Sequence, residues 1–236
     1  MKIFLIILFL FFIQSAKAET YVNQTRLIIN ESVNETTFTV YNTGAKPSLM
    51  KLWSDKNNIL ERPEEIKMPF TILPAIFRIE GRTSRGVRLQ YVGKNGELPT
   101  DRESVFWLNV LEIPPVSTKK EHEDVLQVAF RTRIKLFWRP VALKDYTPAQ
   151  GIKKMVTGIV PCGVNTCLEL KNNSVVHLTL TNIQFKNGIQ IEDLPNDGML
   201  SPFSTIKIAL PSGAMKSDVK SISWIDDYGV INIHNN

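Results

Sequence analysis

The sequence predicts an all-β protein built as two antiparallel sandwiches, on three observations. Val, Ile, Thr, Phe and Tyr gather in short runs, while Gly, Pro, Asn, Asp and Ser fill the gaps. The runs recur at roughly 8–12-residue spacing. No window carries a sustained 3.6-residue apolar period, and 147–156 is the one stretch suited to a short helix or turn.

The first element is an address. Lys2 precedes eleven consecutive apolar residues, 3–13, and Ala16-Lys17-Ala18 closes the segment with a small-x-small pattern. This is the layout of a secretory signal peptide over residues 1–18, cleaved after Ala18. Eleven residues at about 1.5 Å each cannot cross a hydrocarbon core of roughly 30 Å. No later segment is apolar enough to span, so no membrane insertion of the mature protein is expected.

Beyond the leader, strands are expected at 25–30, 36–41, 49–53, 86–92 and 104–113, and a long one at 125–138. Further strands follow at 167–170, 175–185, 204–210, 219–225 and 230–234. The number exceeds one seven-stranded sandwich of ~100 residues. Pro140 cannot donate to a ladder, so the long strand is expected to leave its sheet there. The chain then divides into an immunoglobulin-like domain over 19–140 and a second over 141–236, joined at a bend.

Composition excludes several functions. With 43% hydrophobic and 22% charged residues the chain can bury a core and is not disordered. Without Lys2 and Lys17, 26 basic residues face 23 acidic ones. That excess is too small and too scattered for nucleic acid. There is no Gly-x-Ser-x-Gly elbow, Walker loop or His-Glu-x-x-His, and the histidines have no evident acid–base partners, so an enzyme is not expected. The turns bounded by Gly81 and Gly86 and by Gly93 and Gly96 lack a phosphate-loop context. His177 reads as a structural histidine in an apolar strand.

Cys162 and Cys167 are the two cysteines. In an oxidising compartment a disulfide closing this short loop outweighs a metal site, because no histidine stands at ligand spacing. No metal or cofactor is expected.

The long strand is the informative one. Leu126, Val128 and Phe130 share one face at period two. Arg131, Arg133, Lys135 and Arg139 repeat on the other parity. A strand apolar along one edge and cationic toward its far end suits capture of an extended partner strand ending in a carboxylate.

At these residues the chain resembles periplasmic pilus (fimbrial) assembly chaperones. Val-Leu-Gln-Val-Ala-Phe (125–130) and Arg-Ile-Lys-Leu-Phe-Trp-Arg-Pro (133–140) resemble the last strand of that family's first domain. Thr25-Arg26 fits its first strand. Leu73-Pro74, Arg78-Ile79-Glu80 and Gly86-Val87-Arg88-Leu89 follow its order. So do Asp101 to Asn109 and Glu112-Ile113-Pro114-Pro115. In the second half, Met199-Leu200-Ser201-Pro202 and Asp226-Asp227-Tyr228-Gly229 resemble its turns.

The resemblance implies two immunoglobulin-like β-sandwich domains in a boomerang arrangement. It implies a periplasmic chaperone that binds fimbrial subunits by donor-strand complementation and delivers them to an outer-membrane usher. Leu126, Val128 and Phe130 would enter the subunit core. Arg26 and Lys135 match the family's cleft cations, which anchor the subunit's C-terminal carboxylate. Glu103, Arg139 and Asp227 match its interdomain charge network. The short 116–124 segment resembles the short-loop subgroup, which serves rod-like pili. Gly81, where the family usually has proline, and Val230, where a second glycine is common, depart from the pattern. A free chaperone could cap its own sticky strand by dimerising, which sedimentation would test; the sequence does not tell its oligomeric state. The rival reading is a secreted immunoglobulin-like adhesion module, supported by Asn-x-Ser/Thr sequons at Asn23, Asn30, Asn34 and Asn172.

Overall fold

The computed structural model describes residues 19–94, 96–115, 127–211, 214 and 218–235. The first unit holds β1 (Thr20–Val22), β2 (Arg26–Asn30), β3 (Glu35–Asn42), β4 (Ser48–Asp55), β5 (Phe70–Leu73), β6 (Ile76–Ile79), β7 (Thr83–Tyr91), β8 (Ser104–Ile113) and β9 (Phe130–Arg139). They form two sheets, ordered β1-β3-β7-β5 and β2-β9-β8-β4-β6. A 3-10 turn (Val141–Leu143) and a short helix α1 (Pro148–Ile152) lead into the second unit. It holds β10 (Met155–Cys162), β11 (Asn165–Asn172), β12 (Leu178–Phe185), β13 (Gln190–Ile191), β14 (Met199–Leu200), β15 (Thr205–Ala209), β16 (Val219–Ile225) and β17 (Ile231–Asn235). Its sheets are ordered β10-β11-β15 and β13-β12-β16-β17, with β14 also on β12. The protein is all-β, with two sandwich domains, as the strand spacing predicts.

Alternation builds each core. Along β8 Phe106, Leu108 and Val110 point inward, and along β9 Ile134, Leu136 and Trp138 do the same. They pack against Leu27, Ile29, Phe38, Val40, Met50, Leu52, Val87 and Leu89 from both sheets. A separate cluster around Leu168, Leu170, Leu178, Ile183, Phe185, Ile222 and Trp224 fills the second sandwich. Burying each such side chain contributes about 1.5–3 kcal/mol.

Four expectations need correction. The long strand begins at Phe130, and residues 127–129 form no strand. Its neighbour β8 ends at Ile113, with Glu112 opposite Phe130, and Pro114-Pro115 offers no N–H to continue the ladder. Leu126 and the 116–124 segment lie outside the described residues. β10 was hidden by Gly158 and Pro161, yet both suit it, because β10 is the edge of its sheet. Gly86 bounds no turn: it lies inside β7, opposite Thr39. His177 immediately precedes β12 rather than lying within a strand.

Cys162 and Cys167 form a disulfide across the β10–β11 hairpin, with Cα atoms 5.8 Å apart. The hairpin turn is Gly163-Val164, and Gly163 takes φ +65°, which glycine adopts without steric cost.

The sequon at Asn172 is closed to modification. Asn172 is fully buried, and its Nδ2 donates to the carbonyls of Val176 (2.9 Å), Leu200 (3.2 Å) and Ser201 (3.0 Å). Its Oδ1 accepts from the N–H and hydroxyl of Ser174. Asn172→Ala should cost about 3 kcal/mol in a denaturant melt, since it strands buried carbonyls. A loss under about 1 kcal/mol would show that the knot of bonds is dispensable.

Candidate functional site

The site is the outer face of the five-stranded sheet, where it meets the second sandwich. β2 and β9 run parallel, and their pairing begins with Arg26 opposite Lys135. Inward parity on β2 belongs to Leu27 and Ile29, so Arg26 must face outward. On β9 the inward parity belongs to Ile134, Leu136 and Trp138, so Arg131, Arg133, Lys135 and Arg139 share the outer face. The predicted cationic repeat is therefore one column.

Arg26 and Lys135 stand side by side with no carboxylate in direct contact among the described residues. Arg26 is 9% exposed. Its Nη1 lies 3.4 Å from the Ile225 carbonyl, its guanidinium sits 5.9 Å from the Phe137 ring, and its buried Nε has no hydrogen-bond partner. Lys135 Nζ rests 5.7 Å from the Trp107 ring. Burial pulls the Arg26 pKa below its ordinary value, although Asp227, Glu103 and Asp226 push it back. Burial and then the charge of Arg26 pull Lys135 down, while Asp197 opposes. Two like charges in a partly dehydrated cleft favour an incoming anion.

Beside them lies an open sheet edge. One side of β9 pairs with β8 from Phe130 to Trp138. The other side meets β2 only from Lys135 onward. Among the described residues the stretch 130–134 thus offers unpaired backbone that stops where Arg26 begins. Phe130 is 58% exposed and Val128 47% exposed, with inward parity but no core above them.

The rest of the column is tied down. Asp55, fully buried, accepts from Arg133 Nη2 (2.7 Å) and from Asn109 Nδ2 (2.7 Å), and Arg131 Nη2 lies 3.5 Å away. Arg131 stacks 4.8 Å from the Trp53 ring and Arg133 4.7 Å from that of Trp107. Asp55 and Asn109 went unread in the sequence, because a polar residue on a strand reveals no partner some fifty residues away.

Glu103, Arg139 and Asp227 do come together, between the two sandwiches. Arg139 Nε and Nη2 donate to Glu103 Oε2 at 3.0 and 2.7 Å. Nη1 and Nη2 donate to Asp227 at 2.9 and 3.1 Å. His177 is a fourth member: its backbone N–H donates to Glu103 Oε1 at 2.9 Å, and its Nδ1 lies at the same distance. Burial alone would raise the Glu103 pKa. The His177 hydrogen bonds and the Arg139 charge overcome it and hold the carboxyl below its usual range. Burial likewise works against the Arg139 charge, but hydrogen bonds and charge from Asp227 and Glu103 hold its pKa above the ordinary arginine value.

Among the described residues no group of His, Cys, Asp and Glu could hold a metal, and no helix is long and apolar enough to cross a membrane.

Residues 19–144 match the profile of the pili and flagellar-assembly chaperone N-terminal domain (PapD type), and residues 152–236 match the corresponding C-terminal domain. The chaperone protein FimB/FhaD of Bordetella pertussis is 35% identical over 220 residues, covering 91% of this chain and 86% of that one. The chaperone protein MrkB of Klebsiella pneumoniae is 31% identical over 231 residues, covering 97% and 95%. The crystal structure of the Pseudomonas aeruginosa CupB2 chaperone is similar in fold, with TM-score 0.75 and 30% identity over 92% of this chain and 98% of that one.

Proposed function

This chain belongs to the pili-assembly chaperone family, a non-enzymatic one, and on that footing we propose that it lends part of its own backbone to an incomplete fimbrial subunit in the periplasm. It then passes that subunit to an outer-membrane usher. The observation that carries the reading is the open edge of β9, which ends between Arg26 and Lys135.

A guest strand laid on that edge takes the lane that β2 occupies further along. If it runs parallel to β9, as β2 does, its C-terminus arrives at the two cations. The opposite direction would bring an ammonium there instead, against two like charges. Carboxylate chemistry therefore selects the parallel orientation: Arg26 can bind it as a fork and Lys135 as a point charge.

Val128 and Phe130, with Leu126 before them, fill the groove that the guest's missing strand leaves. Each contributes roughly 1.5–3 kcal/mol of burial, offset by the cost of drawing 127–129 into strand geometry. Glu103, Arg139, Asp227 and His177 hold the two sandwiches in fixed relation, so that the clamp meets the cleft. The secreted adhesion reading loses the sequon at Asn172, whose amide is spent inside the fold.

The test is co-expression in the periplasm with a fimbrial subunit. Both Val128 and Phe130 are exposed, so Val128→Asp with Phe130→Asp should leave the chaperone folded. Subunit recovery by affinity capture should drop at least about ten-fold. Undiminished capture would refute the donated strand.

A further inference from the structure

Resting on the reading above, we infer that Asp55, with Asn109, sets the register of the bound tail by disarming Arg133. Arg131, Arg133 and Lys135 repeat on one face of β9 at two-residue steps of about 6.6–6.8 Å. A one-residue slip of a guest strand turns its apolar side chains outward and is excluded by parity. A two-residue slip keeps every side chain on its proper face. Parity does not exclude it, so the position of the clamp must.

Arg133 stands one such step from Lys135. A free guanidinium grips a carboxylate by two parallel bonds, better than an ammonium does. Left free, Arg133 would be a second clamp one notch out of place. The structure spends it instead. Its Nη2 donates to Asp55 Oδ1 at 2.7 Å and its Nε to Asn109 Oδ1 at 3.1 Å. Arg131, the next notch, donates Nε to Asn109 Oδ1 at 2.9 Å and Nη1 to the Ile59 carbonyl at 2.8 Å. Asn109 Nδ2 in turn donates to Asp55 Oδ2, and the Asn57 N–H donates to Oδ1 at 2.6 Å, so the carboxylate is held in place. Lys135 receives no such partner among the described residues: its Nζ rests over the Trp107 ring, which it shares with Arg133. One buried carboxylate, one amide and the Ile59 carbonyl thus occupy the two decoys and leave the proper clamp available. Asp55 and Asn109 are positioning residues here, acting through Arg133.

The experiment uses the whole chaperone and a synthetic extended peptide of alternating Val and Thr with a free C-terminal carboxylate, beside its amidated twin. Lys135→Ala should weaken binding of the free-acid peptide about thirty-fold or more, and Arg133→Ala by less than about three-fold. Adding Asp55→Asn to Lys135→Ala should restore about ten-fold. That recovery should vanish on amidation, and again when Arg133→Ala is added. Peptides with one cysteine at successive positions, trapped against Thr132→Cys, should show the best position moving by two residues. The two native cysteines are paired and do not interfere. Should Asp55→Asn not fold, Asn109→Ala frees Arg133 Nε without removing a buried charge and serves the same comparison.

A weakened Lys135→Ala with neither recovery nor register shift would overturn the guard and leave the clamp standing. An Arg133→Ala loss as large as that of Lys135→Ala would also overturn it, because Arg133 would then grip the tail itself. Indifference to both Lys135→Ala and amidation would sink the clamp, and the guard with it.

Discussion

Arg26→Ala or Lys135→Ala is expected to cost about 2–5 kcal/mol of subunit binding while the chaperone stays folded. The size follows from the setting. Arg26 is nearly buried and Lys135 half-buried, so a carboxylate between them makes charge-assisted bonds away from bulk water. Removing one cation also leaves the guest's carboxylate short of a partner in that cleft. The fold should tolerate the change because neither side chain belongs to a hydrophobic core. Each cation is, moreover, disfavoured by burial when the cleft is empty. Subunit recovery and a thermal melt of each variant check both halves. Undiminished recovery of the subunit from either variant would remove the anchor role.

Arg139→Ala is expected to destabilise the chaperone by about 3–5 kcal/mol. It leaves Glu103, 3% exposed, with His177 but without the guanidinium that met it by two bonds. Asp227 is more exposed and can turn to water, so the larger part of the loss falls on Glu103. A denaturant melt at neutral pH measures it, and a loss below about 1 kcal/mol would mean the network contributes no more than an exposed ion pair.

The pH dependence carries a definite sign. The folded state holds the Glu103 pKa below its usual value, so folding prefers the ionised form. Its contribution is complete above the unfolded value of about 4.3 and is lost as pH falls through the lower folded value. The native protein should therefore loosen on the acid side, and Arg139→Ala should loosen already at neutral pH. Glu103→Gln, which keeps the shape without the charge, should flatten the acid limb of the melt.

Much of this molecule is legible in its sequence alone. The alternation of 104–113 and 219–225 gave strands with those same bounds, because apolar residues at period two leave a sheet one choice of inner face. The column Arg131, Arg133, Lys135 and Arg139 followed from the same parity. What parity could not give was the far end of the ladder. The run 125–138 reads as one strand, yet pairing starts at Phe130, because a strand exists only as far as its neighbour reaches.

Local chemistry thus determined where most strands lie, which side chains face the two cores and the sign of charge on each strand face, since these depend on residues close in sequence. Only the tertiary structure decided which cations are free. Arg133 and Lys135 are two residues apart and equally charged on paper. Asp55, brought beside one of them by the β4–β8–β9 pairing, silences it, and Arg26, brought beside the other by the parallel β2, does not. Electrostatic availability depends on distance in space, and the fold sets that distance by joining segments some fifty to a hundred residues apart in the chain.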